Sequence, residues 1–244
     1  MDSKSRAKPY RNRLTYGQIA KGISATKQNA IRLLEDARTL YKDNRYPTAC
    51  SLSVLVVEEV AKLPILRRMA LASKQEEWRR CWKDFSSHLD KAAHWIIPFL
   101  VNEAKSVEEF TNSFHREVNG ELLNSLKQFG FYLGCYGNAH WAEPHLVIEK
   151  ENASPIIHSA EVLVFGSQSS LFDTEEAIAA WADHMHGMFE CDSMIANDSV
   201  VTFLKQYGSS SDQQQEKIPH NIAFEFMSTV LYLSAEYSPH LRQN

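Results

Sequence analysis

The stretch "SLSVLVVEEVAKLPILRR", residues 51–68, is apolar around most of its circumference but carries two adjacent acids, Glu58 and Glu59, at its centre. A helix that is apolar on all sides lies in the middle of a bundle, because every face packs against a neighbour. We therefore predict a central helix from Ala49 to Leu66, kinked by Pro64. An unpaired carboxylate buried there would cost several kcal/mol, so at least one acid needs a partner from another helix.

The composition of the 244-residue chain favours an all-α protein. It contains only 9 glycines, about half the usual share of roughly 7%, which disfavours turn-rich β architectures. The net charge of −4 gives no basic field over the whole molecule, and it leaves a local phosphate-binding patch open. The 4 cysteines show no CxxC spacing, so neither a metal nor another cofactor is expected. No apolar run is long enough to cross a membrane, and we predict a cytoplasmic protein.

Polar and apolar patterning divides the chain into three segments. We predict that residues 1–15 form a disordered basic leader, that residues 16–170 form a helical bundle, and that residues 171–244 form a helical extension. The loop "YGNAHWAEPHL" interrupts the helical pattern. Besides the central helix, we predict helices at Ile19–Tyr41, Lys74–Leu100 and Val107–Tyr136, the last with a weak point at Asn119 and Gly120. A further helix is predicted at Ser154–Ser167, with Ser154 as N-cap and Pro155 in the first turn. Thr174 caps the next helical region, and a last helix follows a linker at 208–217.

A helical wheel gives the two acids different surroundings. Glu59 falls inside the inward stripe, whereas Glu58 falls beside Lys62 one turn later, which predicts a local ion pair. The following helix carries a polar flank along its aromatic stripe, formed by Arg80, Asp84, His88 and Lys91. If the two helices are antiparallel neighbours, Glu59 faces His88 or Lys91. We therefore predict that Glu59 orients the imidazole of His88.

Three blocks of the sequence together resemble a known family. They are "NAIRLLEDARTLYKDNRYPTACSLSVLVVEEVAKLPIL", "WKDFSSHLDK" and "FGFYLGCYGNAHWAEPHLVIEKENASPIIHSA", and they follow one another in the order of the AbiV family of bacterial abortive-infection proteins, a branch of the HEPN superfamily. The resemblance implies a helical HEPN bundle, a homodimer, and a phage-defence protein whose activity halts translation. It also implies that RNA and a phage-encoded activator protein are candidate partners.

Many HEPN relatives are metal-independent ribonucleases marked by an Arg, four to six intervening residues, and a His. This sequence departs from that pattern, because seven residues separate Arg80 from His88 and Lys83 stands at the four-residue gap. Lys127 likewise stands where the resemblance leads us to expect an arginine ahead of Tyr132. If the protein is a ribonuclease, we expect its catalytic residues to be His88 and the nearby Arg80, Lys91 and Glu59.

Cleavage of RNA at its 2′-hydroxyl needs a group that moves protons near neutral pH and a cation for the phosphate, with no metal. We assign the first role to His88, the second to Arg80 or Lys91, and the orienting role to Glu59. A second group of residues is expected to bind RNA or support the site, with Tyr132 placed to stack a base. This group consists of Glu58, Lys62, Asp84, Lys127 and Tyr132.

Other interpretations fit the same residues. In one interpretation, Glu59 and its partner, His88 or Lys91, form an ion pair that only stabilises the fold. In another, the protein is a non-catalytic helical module that captures a phage or translation-related protein. In a third, it is the regulatory partner of a nucleotidyltransferase. A shared metal at His184 and His186 is disfavoured, because residues two apart on a helix point about 200° apart.

Overall fold

The computed structural model describes residues 8–96, 116–168, 170 and 172–190. It is mostly helical, which confirms the all-α class, and its only strands among these residues form one short hairpin. The elements in chain order are α1 (Tyr16–Lys42), α2 (Tyr46–Val60), α3 (Lys62–Leu71), α4 (Gln75–Ser86), α5 (His88–Ala92), a 3₁₀ helix (Ala93–Ile96), α6 (Arg116–Phe131), β1 (Gly134–Tyr136), β2 (His140–Ala142), α7 (Pro144–Val147), α8 (Lys150–Gly166) and α9 (Glu175–Glu190).

Helix α2 is the centre of the bundle, as its all-round apolar sequence predicts. It packs against α1, α8 and α6, and α5 also contacts it. Its apolar side chains on several faces, including Val54, Val56 and Val57, are fully buried. No face of α2 is therefore a simple solvent side, and this sets the environment of its two acids.

The predicted kink near Pro64 takes the form of a break between α2 and α3. Proline has no N–H for the carbonyl four residues earlier, and its ring clashes with that carbonyl, here Val60. Helix α2 ends at Val60 and α3 begins at Lys62, with Ala61 between them. The interruption is local, because Ala61 keeps right-handed helical angles and its N–H still donates to the Val57 carbonyl at 2.9 Å.

The helix predicted from Lys74 to Leu100 is divided. Helix α4 ends at Ser86, Ser87 is extended with ψ 125°, and α5 begins at His88, while residues 97–100 lie outside the described residues. The Ser87 N–H still bonds to the carbonyls of Lys83 and Asp84, which closes α4. His88 therefore starts a new helix whose direction the α4 wheel does not predict.

The helix continues through the weak point predicted at Asn119 and Gly120, since both residues lie inside α6. The glycine serves a close approach between helices, since a Cβ there would lie 2.4 Å from the carbonyl oxygen of Leu89 on α5. Gly130 does the same further along α6, where a Cβ would lie 2.2 Å from the Oγ of Ser51 on α2. Residues 107–115 of the predicted helix lie outside the described part.

The predicted loop after α6 contains structure. Strands β1 and β2 pair antiparallel, with Cys135 opposite Trp141, and α7 follows. Helix α8 begins at Lys150, so Ser154 is not its N-cap and Pro155 lies in its second turn. The start is capped elsewhere, because the Glu149 backbone N–H donates to Asn152 Oδ1 at 3.2 Å. A proline this near the N-terminus leaves only a first-turn carbonyl without its helical donor.

Both ends of the described chain pack more closely than predicted. Residues 10–13 are not a disordered leader, since Trp82 Nε1 donates to the Asn12 carbonyl and Arg13 donates to the Ser73 carbonyl. Thr174 caps α9 as predicted, accepting from the Ala177 N–H at 3.2 Å. Helix α9 buries Trp181 in the common core, against α1 and α3, so the bundle continues past residue 170.

The remaining predictions for the tail, the linker at 208–217 and the last helix, lie outside the described residues. Over the part of the chain that the structure describes, no helix combines the length and apolar character needed to span a bilayer.

We predict that Gly120→Ala lowers the free energy of unfolding by about 2 kcal/mol, because overpacking at a tight helix contact exceeds the gain in helix propensity. The control is Gly22→Ala in α1, where a Cβ would meet Leu66 at an ordinary 3.6 Å. Urea denaturation should show Gly22→Ala unchanged or more stable by up to about 1 kcal/mol. Equal stability of the two variants would contradict the close approach of α5 and α6.

Candidate active site around Glu58

Three helices meet at the carboxylate of Glu58, which is only 4% exposed. Lys127 on α6 donates from Nζ to Glu58 Oε1 at 2.6 Å. His88, the first residue of α5, places Nδ1 2.7 Å from Glu58 Oε2. Each carboxylate oxygen thus has its own partner, and each partner comes from a different helix.

The local structure explains why these side chains converge. The extended Ser87 turns the chain so that His88 opens α5 beside α2, and Gly120 lets α6 lie directly against α5. Ser51 Oγ on α2 donates to the carbonyl of Lys127, which holds that turn of α6 against α2. The ammonium group of Lys127 is therefore delivered to Glu58 by backbone packing.

His88 is held on one side and open on the other. Its side chain is 65% exposed, although its partner Glu58 is buried. A carboxylate accepts the hydrogen bond, so Nδ1 carries the proton and the neutral ring has its lone pair on Nε2. This arrangement can orient an imidazole for proton transfer with a solvent-side substrate.

The predicted roles of the two acids are exchanged. Glu59, expected to face His88, instead ion-pairs with Lys62, the partner predicted for Glu58, and the Glu59 side chain is 17% exposed. The wheel failed because Leu52 does not mark the buried side of α2. Leu52, Leu55 and Glu59 form the partly exposed stripe of this helix, whereas Ser51, Val54 and Glu58 are buried.

Lys91 lies close to this cluster and is buried. Its Nζ donates to the carbonyl of Phe85 at 2.8 Å, and both Lys91 and Lys62 lie over the Phe85 ring, at 5.9 and 5.3 Å. Burial lowers the pKa of Lys91, as does the charge of Lys62, while Glu58 and Glu59 oppose the shift. The cluster thus contains three ammonium groups, those of Lys62, Lys91 and Lys127, and two carboxylates, those of Glu58 and Glu59. This excess of positive charge favours binding of a further negative charge.

The other predicted residues lie apart from Glu58. Arg80 is exposed and ion-pairs with Glu76 at 3.7 Å, and among the described residues it has no hydrogen bond or ion pair with His88. Asp84 accepts from Arg68 Nη2 at 2.5 Å. Tyr132 follows the end of α6, is 63% exposed, and packs edge-on against Phe131. Phe85, which sequence reasoning did not assign, links Lys62 and Lys91.

No three His, Cys, Asp or Glu side chains converge as a metal site within the described residues. The exposed pair His145 and Glu143 lies 3.7 Å apart beside the hairpin. The side chains of His184 and His186 lie outside the described residues.

We predict that Glu58→Ala lowers the free energy of unfolding by about 3–5 kcal/mol, because it leaves the Lys127 ammonium buried without a counter-charge. Glu59→Ala removes a pair that water partly screens and should cost about 1 kcal/mol or less. Urea denaturation of both variants at neutral pH measures the difference. A larger loss in Glu59→Ala than in Glu58→Ala would contradict the exchanged roles.

Comparison with known proteins adds the family. The sequence model of the HEPN family AbiV matches residues 18–164, which is more than half of the chain. The matched region runs from α1 into α8 and includes Glu58, His88 and Lys127. No curated protein and no solved structure matches the sequence. The chain therefore belongs to the AbiV family of HEPN proteins.

Proposed function

We propose that this protein is an abortive-infection effector that stops protein synthesis in phage-infected cells by acting on RNA. The proposed activity is metal-independent endoribonucleolytic cleavage, with His88 as the group that moves the proton. Membership of the AbiV family supports the defence role. The observation that carries the chemistry is the exposed imidazole of His88, hydrogen-bonded through Nδ1 to the buried carboxylate of Glu58.

The reaction needs only groups of this kind. Nε2 of His88 takes the proton of a ribose 2′-hydroxyl, and the 2′-oxygen attacks the adjacent phosphorus. The bond from phosphorus to the 5′-oxygen breaks, which leaves a 2′,3′-cyclic phosphate. The departing 5′-oxygen takes a proton from a second acid. Positive charge near the phosphate stabilises the transition state without a metal.

Glu58 and Lys127 are positioning residues in this scheme, because they act through His88. The carboxylate fixes the tautomer that keeps the Nε2 lone pair toward substrate, and Lys127 holds the carboxylate in place at 2.6 Å. The lysine occurs where the resemblance led us to expect arginine, and it still supplies one positive charge to Glu58. Lys91 and Lys62 add positive potential behind the imidazole.

The proposal includes a homodimer in which two copies of His88 face one RNA strand. An exposed apolar pair on α6, Val118 and Leu122, supports it, because the two residues are one turn apart and share a face. Gly120, which packs against Leu89 of α5, lies on the other side of α6, so this pair is free of the α5 contact. In the proposed dimer, self-association through this pair brings both copies of His88 to one RNA strand, and the second imidazole supplies the acid for the 5′-oxygen.

We predict that wild-type protein cleaves single-stranded RNA in excess EDTA and that His88→Ala loses at least about 100-fold in rate, the lower end of a general acid-base contribution. The control is His158→Ala on α8, an exposed histidine that also lies near a carboxylate, Glu161. Gel analysis of labelled RNA should show wild-type rates for the control. Equal rates for His88→Ala and wild type would contradict the assigned role.

We predict that Leu122→Glu shifts the protein from dimer to monomer and reduces cleavage in parallel, because two added charges would meet across the symmetric contact. Phe165→Glu on α8 is the control, since Phe165 is an apolar residue on another helix and is more exposed than Leu122. Sedimentation velocity at micromolar concentration measures the assembly state. A Leu122→Glu variant that remains dimeric would contradict this interface.

The hairpin favours one alternative function, a non-catalytic module that captures a phage or translation-related protein. Its surface exposes Tyr132, Tyr136, Trp141 and Leu146, and aromatic residues of this kind commonly anchor protein interfaces. Purified protein that binds a translation factor and leaves RNA intact, with binding lost in Trp141→Ala, would favour the module over the ribonuclease.

A further inference from the structure

A cleft on the outer side of α4 is separate from the Glu58 cluster but adjacent to it. Its volume is about 520 Å³, and it is a shallow depression that is widely open to solvent, as a site for an extended ligand would be. None of the described residues that line it is a carboxylate. The lining residues are Arg11, Arg79, Trp82, Lys83, Ser86 and Ser87. Three cations, two hydroxyls and an indole are a set suited to an anionic ligand with an apolar part.

Arg11 is already held in place at this cleft. Its Nη1 donates to the Trp82 carbonyl at 2.8 Å and to Ser86 Oγ at 2.6 Å, and its guanidinium lies 5.9 Å from the Trp82 ring centroid. Trp82 in turn donates from its indole nitrogen to the Asn12 carbonyl. Since this arginine is ordered before any ligand arrives, binding an anion costs it little conformational entropy.

The other two cations are available to a ligand. Lys83 is exposed and has no ion-pair or hydrogen-bond partner for its ammonium group among the described residues. Arg79 has a weak exposed contact with Glu76 at 3.6 Å, of a kind that water largely screens. Arg79 and Lys83 are four residues apart, so they lie on the same face of α4. The cleft is therefore locally positive, although the whole chain has a net charge of −4.

The position of the cleft connects it to the candidate active site. Ser87, which lines the cleft, is the residue directly before His88. We expect an extended strand that contacts Lys83 and passes Ser87 to continue to His88, whose side chain is exposed. Lys91 is buried and Arg80 is turned to Glu76, so neither gives an exposed cation beside His88. The cleft supplies the cations that this site otherwise lacks.

We propose that the cleft formed by Arg11, Arg79, Trp82, Lys83, Ser86 and Ser87 binds the phosphate backbone of a single RNA strand next to the bond presented to His88. The link between the cleft and RNA cleavage rests on the proposed function. Binding of the RNA strand by the cleft can be tested independently of cleavage. The cations contact successive phosphates, and the Trp82 indole gives an apolar wall for a sugar or base.

The test measures binding of a fluorescent 12-nucleotide single-stranded RNA by anisotropy, in a His88→Ala background that prevents cleavage. Arg79→Gln combined with Lys83→Gln should weaken binding about 10- to 30-fold at 0.1 M salt and lower the slope of log K against log salt by about 1.4, since each phosphate contact contributes about 0.7. The matched control combines Lys21→Gln and Lys42→Gln, two exposed lysines of α1 that do not line the cleft. It should change binding less than twofold.

The outcomes separate this proposal from the ribonuclease. Equal affinities for the cleft double variant, the control and the parent would overturn the cleft, even if wild-type protein cleaves RNA through His88. A selective loss in the cleft variant would support it, even if no variant cleaves RNA. A nucleoside monophosphate that binds as tightly as the oligonucleotide, with the same dependence on Arg79 and Lys83, would overturn strand binding in favour of a free nucleotide.

Discussion

The structure depends on how one buried carboxylate, Glu58, is neutralised. Taking a carboxylate out of water is costly unless hydrogen bonds and an opposite charge compensate, and Glu58 has both. Lys127 and His88 reach it from α6 and α5, so the ion pair also fixes how these two helices approach α2. Stability and chemistry share this contact, because the group that holds the helices together also orients the imidazole.

Around Glu58 the charges are arranged in two layers. Lys127 and Lys91 are buried, so in the proposed mechanism they act on a substrate through their charge and not by contact. His88 is exposed, as is Lys83 on the neighbouring α4, and in the proposals above these two side chains contact the RNA. A low-dielectric interior strengthens the inner layer, and this fits chemistry that stabilises a charged phosphate without a metal.

The two chain segments at the ends of the described region complete the bundle. Trp181 of α9 joins the core formed by α1 and α3, and Phe172 packs edge-on against it at 5.3 Å. Residues 10–13 lie along α4 and place Arg11 at the cleft. An apolar pattern predicts that α9 is helical, but only the space left between α1 and α3 decides that it belongs to the same core.

The sequence by itself determined the all-α class, the central place of α2, the disturbance caused by Pro64 and the cap at Thr174, because each follows from local periodicity or from backbone chemistry. It also predicted a contact between an acid of α2 and His88, but it assigned this contact to Glu59. Only the tertiary structure decided which acid that is. Glu58 and Lys127 are 69 residues apart, α2 is enclosed on several sides, and the extended Ser87 resets the helical phase before His88. A wheel drawn along one continuous helix carries no information across such a break, so the contact was settled by packing.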